Sequence, residues 1–322
     1  MKRHAKPVVV VSKCLGFAPC RHNGAIVEEK FLKRLEPFVK YVAVCPEVEI
    51  GLGTPREPVR IVNDKSGLKL MQPATGLDLT EKMRTFSAGF LASLKEVDGF
   101  ILKSRSPSCG PAEVKVYKST EKGAPVAWSS GLFAGAVLKK FPGLAVEDEG
   151  RLRNYKIREH FLTRLFALAR FRELRKGHEM RHLVHFHTSN KMLLMAYNQK
   201  EMRTLGRLVA NPQRHRPREV WADYAEHFGH ALARAPRHTS NINVMQHALG
   251  YFSQQLTAKE RSSFLSTLEK YRKGRIPIGG VLSVLKSWIV RFEDRYLTQQ
   301  TFFDPYPEEL MDLMDSGKGR SV

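Results

Sequence analysis

Cysteine is scarce in this chain of 322 residues: four occur, and none falls after position 109. No two of them form a CxxC pair, so zinc-ribbon and thioredoxin-like patterns are excluded. Long apolar runs are missing as well. No stretch nears the roughly 18 consecutive apolar residues of a membrane span. The one short run near the start, 8–11, meets Lys13 with no small-residue cleavage site behind it. These absences lead us to expect a cytoplasmic protein with no membrane insertion and no disulfides. Internal repeats and low-complexity tracts are also lacking, which excludes a solenoid. Acidic residues are outnumbered, 32 Asp and Glu against 53 Lys and Arg, for a formal net charge of +21.

What is present divides in two. Residues 1–150 carry 23 basic and 16 acidic side chains, a surplus of 7, and residues 151–322 carry 30 and 16, a surplus of 14. That balance favours a polyanionic partner, with nucleic acid ahead of an anionic membrane surface. In the first half, 8–12, 41–44 and 99–103 are continuous apolar runs rich in β-branched residues, as buried parallel strands are. A further strand is expected over 113–117. Helical patterns over 25–35, 81–96 (with Thr80 as its cap) and 130–141 alternate with the strands, and 51–58 and 72–76 read as loops.

Beyond the acidic trio Glu147-Asp148-Glu149 and Gly150, which read as a linker, strand signals nearly vanish. Helical spacing runs over 153–175, 178–198, 219–235, 256–273 and 278–297, and the tail 316–322 reads as disordered. The expected fold is therefore α/β: a Rossmann-like parallel-sheet N-terminal domain over 1–148, then an all-α, basic domain over 149–322.

Cys14, Cys45 and Cys109 each follow one of the apolar strands. In an open parallel sheet, ligands bind in the crevice beyond the carboxyl ends of the strands, where three thiolates can converge. Soft thiolates gathered there suit an iron–sulfur cluster or zinc, and three ligands leave a coordination position open for chemistry. Glu47, two residues after Cys45, is a candidate acid–base group of the same crevice. Arg105-Ser106-Pro107-Ser108-Cys109-Gly110 is a tight, hydroxyl-rich turn. Arg21, Asn23, Arg56 and Arg60 fall in loops on that face.

In the second half, His178, His182 and His185 fall on one helical face. They lack a carboxylate or thiol partner, so they read as part of a buried or RNA-facing helix and not as a metal site. Met192-Leu193-Leu194-Met195 reads as core. Arg203, Arg207, Arg214, Arg216 and Arg218 form a basic stretch suited to phosphate contacts.

The segments Ser12-Lys13-Cys14-Leu15-Gly16 with Cys20-Arg21-His22-Asn23-Gly24, Cys45-Pro46-Glu47 with Gly51-Leu52-Gly53 and Pro55-Arg56, and Lys103 with Ser106-Pro107-Ser108-Cys109-Gly110 resemble the thiouracil desulfurase family. The resemblance covers roughly residues 7–145. It implies a 4Fe-4S cluster held by Cys14, Cys45 and Cys109, with one iron left to take the sulfur of a thiocarbonyl base. Cys20 is the alternative to Cys14. By the same resemblance Glu47 would be the acid–base residue, and Ser106 would position or activate substrate. Where the family shows an aromatic residue and then Asp-Gly, this chain has His22-Asn23-Gly24.

The stretch His185-Phe186-His187, Lys191 and Leu205-Gly206-Arg207-Leu208-Val209-Ala210 is similar to a helical domain fused behind such desulfurase domains. That fused form is similar to the tRNA 4-thiouridine desulfidases. It implies conversion of 4-thiouridine in tRNA to uridine with release of hydrosulfide. Arg21, Arg56, Lys191, Arg203, Arg207, Arg214 and Arg216 are the expected RNA contacts. Desulfuration of free thiouracil, and a nucleic-acid-binding protein with a structural or sensing cluster, are the alternatives.

Overall fold

The computed structural model describes residues 4–64, 67–211 and 213–311, so the expected disordered tail lies outside the described residues. The chain divides into two compact units, one over Ala5–Ala169 and the other from Arg170 onward. In chain order the first holds β1 (Val8–Ser12), α1 (Lys30–Leu35), β2 (Lys40–Val44), α2 (Pro46–Glu49), β3 (Arg60–Asp64), β4 (Gly67–Gln72) and β5 (Leu77–Asp78). Then come α3 (Thr80–Ser93), β6 (Gly99–Leu102), β7 (Val114–Tyr117), β8 (Ala127–Ser129), α4 (Leu132–Lys140) and β9 (Ala145–Asp148). The division between units falls inside α5 (Tyr155–Arg175).

One sheet of the first unit is wholly parallel, in the order β2-β1-β6-β9. Its two inner strands are sealed on both faces: Val9, Val10, Val11, Phe100, Ile101 and Leu102 have no exposure. That is why they read as unbroken apolar runs. A second sheet, β5-β4-β3-β7-β8, is antiparallel except between β3 and β7. Its inward residues Ile61, Leu70 and Val116 share one core with Val10 and Phe100 of the first sheet and with Met83 and Phe133 of α3 and α4.

The second unit is all-α, as expected. It contains α6 (Met180–Tyr197), α7 (Gln199–Ala210), α8 (Pro217–Ala231), α9 (His238–Gly250), α10 (Ala258–Arg272), α11 (Ile278–Arg291) and α12 (Arg295–Gln299). Met192 and Leu193 join its core, and Leu194 is buried too.

Several local expectations are corrected. The helix expected over 25–35 forms only from Lys30, because the preceding backbone is extended and the Val27 N–H donates to the Cys14 carbonyl. Thr80 does not cap α3. Its Oγ1 accepts from the Leu70 N–H, and Asp78 Oδ1 accepts from the Thr80 N–H. The acidic stretch taken for a linker ends an edge strand, β9, where Glu147 and Asp148 are each bonded to Arg151. The strand expected over 113–117 forms as β7, in the second sheet. The helix expected over 278–297 breaks where Glu293 takes a left-handed φ of +51°, and Asp294 caps a new helix through the Leu297 N–H. His178, also left-handed at +49°, precedes α6, so the three histidines do not share one helix.

Candidate active site

Parallel strands bring their carboxyl ends to one edge of a sheet, and three loops leave that edge together. Cys14 lies two residues beyond β1, Cys45 directly beyond β2 and Cys109 seven beyond β6, and these strands are neighbours. All four cysteines are free and buried, with 7–9% exposure.

The thiols act on one another electrostatically. Burial first and Cys45 second push the Cys14 thiol up to about 11, with Lys103 and Arg21 opposing and Glu149 adding. Burial, Cys45 and Cys14 push Cys20 up to about 12. Burial raises Cys109 as well, a hydrogen bond with Ser12 opposes it, and Glu47, Cys14 and Cys45 raise it further. Such thiols hold their protons near neutrality until a positive metal centre draws them off. Among the described residues no three His, Cys, Asp or Glu side chains are grouped to hold a single metal ion. Soft thiols gathered at one sheet edge are the donor chemistry that an iron–sulfur cluster takes.

The Cys109 loop is fixed from both sides. Ser106 Oγ accepts from the backbone N–H groups of Ser108 and Cys109 at 3.3 and 3.1 Å, and the Ser106 carbonyl accepts from the Gly110 N–H at 2.8 Å. The opening of α4 supplies unpaired helix N–H groups. Leu132 and Ala134 donate theirs to the carbonyls of Pro107 and Ser108, and Gly131 donates to Gly110. A Cβ at Gly131 would come within 2.5 Å of the Ser108 carbonyl oxygen, so only glycine allows this approach.

Glu47 lies in the first turn of α2, buried, with both oxygens held. Arg56 Nε and a second guanidinium nitrogen donate to Oε2 at 2.8 and 2.7 Å, and Ser108 Oγ donates to Oε1 at 2.9 Å. The same guanidinium donates to the carbonyls of Cys20 and Gly53. Arg56, expected to touch RNA, is thus a buried partner of Glu47 with a side chain only 6% exposed.

Sequence reasoning gave no such role to four members of this crevice, although Ser12, Lys103 and Ser108 stand in the motif segments. Ser108 orients Glu47, and Ser12 bonds Cys109 while its Oγ accepts from the Lys103 N–H. Lys103 pairs with buried Glu149, which also accepts from the Ser104 N–H and hydroxyl. Glu149 read only as part of the acidic linker, and no local pattern gave the partner of any of the four. Arg21 stays near Cys14.

In the second unit, Lys191, Arg203, Arg207, Arg214 and Arg216 are all exposed, but they do not form one run. Lys191 is on α6, Arg203 and Arg207 on α7, Arg214 in a left-handed turn and Arg216 at the cap of α8. His187 bonds the Tyr224 hydroxyl, and His227 bonds Glu201.

Fold and site together define an α/β domain with a thiol-lined crevice at the ends of parallel strands, followed by a helical region. The model of the family described as 2-thiouracil desulfurase matches residues 9–149, and that of a protein family of unknown function, DUF1722, matches residues 191–307. "Uncharacterized protein YbbK" of Bacillus subtilis (strain 168) is 34% identical over 154 residues, 46% of this chain and 99% of that protein. "Uncharacterized protein YbgA" of Escherichia coli (strain K12) is 27% identical over 158 residues, 48% of this chain and 93% of that protein. A solved structure, the [4Fe-4S]-dependent thiouracil desulfidase TudS, is 29% identical, covering 46% of this chain and 93% of that one, with a TM-score of 0.36. The chain belongs to the 2-thiouracil desulfurase family, whose chemistry is the removal of sulfur from a thiolated uracil. No helix among the described residues is long and apolar enough to cross a membrane.

Proposed function

We propose that this protein is a cytoplasmic enzyme that removes sulfur from 4-thiouridine in tRNA, using a 4Fe-4S cluster held by Cys14, Cys45 and Cys109. The observation that carries this reading is the convergence of those buried thiols with a carboxylate, Glu47, whose two oxygens are both fixed by side chains of the same crevice. When bound, the cluster supplies a Lewis-acidic iron for the soft sulfur of the thiocarbonyl.

The chain's own residues do the rest. Glu47, oriented by Arg56 and Ser108, takes a proton from a water that adds to C4 of the base. The C–S bond then breaks, giving uridine and hydrosulfide with no net change in oxidation state. Ser106 fixes the Cys109 loop against which the base would be positioned. The exposed bases of the helical unit would hold the RNA backbone, and the target base must leave its stack to enter the crevice.

Anaerobically purified protein is expected to contain iron and sulfide and to bleach the near-ultraviolet band of 4-thiouridine in tRNA while releasing hydrosulfide. Cys109→Ala should lose both properties. The family's name favours a second reading, free thiouracil as substrate. Turnover of the free base with thiolated tRNA untouched would establish it instead.

A further inference from the structure

The second sheet presents an outward face that the proposed chemistry does not use. β7 alternates: Val114 and Val116 are buried, while Lys115 and Tyr117 point out. The β7–β8 register sets Trp128 directly beside Lys115. The β3–β7 register, with Ile61 opposite Val116, leaves Arg60 beside Lys115 on its other side. One row across three strands thus reads Trp128, Lys115, Arg60. The Arg60 guanidinium lies over the Tyr117 ring at 4.2 Å and donates to the Glu121 carbonyl at 2.9 Å. Trp128 is 64% exposed, whereas Trp221 is fully buried and Trp288 is 8% exposed.

These residues line a cavity of about 600 Å³ that also takes in Arg105 and Pro107. Pro107 lies two residues, and Arg105 four, before Cys109. The segment that follows β8 is the one clamped to the Cys109 loop through Gly131. The groove is therefore continuous with the loop that carries a proposed cluster ligand. Its charge is three cations, Arg60, Arg105 and Lys115, against one anion, Glu113, which pairs with Arg105. An exposed aromatic ring set among cations is the chemistry of single-stranded nucleic-acid binding: a base stacks on the ring, and the cations meet phosphates.

We propose that this groove binds the nucleotide flanking the thiolated base of an RNA substrate, with its base stacked on Trp128 and its phosphate against Lys115 and Arg105. The inference rests on the reading of RNA as substrate. It adds a grip in the first unit, beside the chemistry, to the backbone contacts proposed for the helical unit.

Trp128 is the one well-exposed tryptophan, so it is its own reporter. Titrating the full chain with unmodified tRNA should quench and shift its emission, and Trp128→Leu should lose that response. In turnover assays Trp128→Leu should raise KM for thiolated tRNA roughly tenfold, within the range expected for the loss of one stacked base. Its kcat and its turnover of free 4-thiouracil should not change, and Trp128→Phe should recover most of the KM effect. Lys115→Gln should lower the salt dependence of tRNA binding by about one ion in slope.

Quenching retained with no turnover of thiolated tRNA would keep the groove and sink the tRNA-desulfuration reading. Turnover retained with no quenching, and with KM unchanged in Trp128→Leu, would do the reverse. A change in oligomeric state in Trp128→Leu with RNA binding intact would make the patch a self-interface and overturn the proposal.

Discussion

The two units of this molecule treat charge in opposite ways. In the first, the charges near the crevice are buried and committed: Glu47 to Arg56 and Ser108, and Glu149 to Lys103 and Ser104. In the second, the interior is given over to rings. Phe171 packs within 5.3–5.6 Å of Phe186, Trp221, Tyr224 and Phe228, while Lys191, Arg203 and Arg207 extend into water. A buried pair fixes atoms and is costly to break, whereas exposed cations set a field that tolerates the loss of any one. The first unit fixes its charged groups in place, and the second leaves its cations in water.

Breaking the buried pair tests this contrast most severely. Arg56→Met leaves Glu47 buried without its partner and should cost about 3–5 kcal/mol of stability, read as a lowered urea midpoint, together with most of the activity. A midpoint moved no more than a surface substitution moves it, about 0.5 kcal/mol, would show that the pair is not structural. Ser108→Ala removes one hydrogen bond to the carboxylate. It should cost about 1–3 kcal/mol and lower kcat, with iron content unchanged. Loss of the iron as well would mean that Ser108 serves the Cys109 loop more than Glu47.

The two units should converge under acid. His160 in the first and His187 in the second are both pushed down to about 4, chiefly by burial, with Arg164 and Lys191 adding. Each folded-state value lies below the unfolded value near 6.5, so folding favours the neutral ring. The stability this provides is complete above pH 6.5 and is lost as pH falls from there toward 4. The denaturant midpoint should drop between pH 7 and pH 5, and His187→Gln should shrink the drop. An identical drop in that variant would assign it to other groups. The smallest effect is expected from Arg207→Ala: stability within about 0.5 kcal/mol, tRNA binding weakened with the salt slope reduced by about one, and free-base turnover unaltered.

The contrast also explains what could be read from the sequence. β1, β2 and β6 were legible as apolar runs, and Cys14, Cys45, Cys109 and Glu47 were legible because they follow those strands. The strands β3, β4 and β8 went unread because each has an exposed side, which mixes polar residues into the pattern. β9 was hidden because Glu147 and Asp148 look like solvent-facing acids until their Arg151 partner is known. Ser108 meets Glu47 across 61 positions and Lys103 meets Glu149 across 46. No local periodicity encodes such pairings. In the helical unit α7 was read only as a basic stretch, and the separation of its arginines from Arg214 depends on a left-handed turn at that residue.

The place where one unit yields to the other bears on how the molecule can be divided. The family match ends at residue 149, yet the first compact unit continues to Ala169. The reason is visible at Gly99 of β6, where a Cβ would lie 2.8 Å from the Leu165 side chain and 2.8 Å from the Ala145 carbonyl oxygen. The first turns of α5 therefore close the parallel sheet, with Phe161, Leu162 and Leu165 almost wholly buried. A desulfurase half cut at the family boundary would leave that side of its sheet bare and prone to aggregate. One cut beyond Ala169 would carry its own lid.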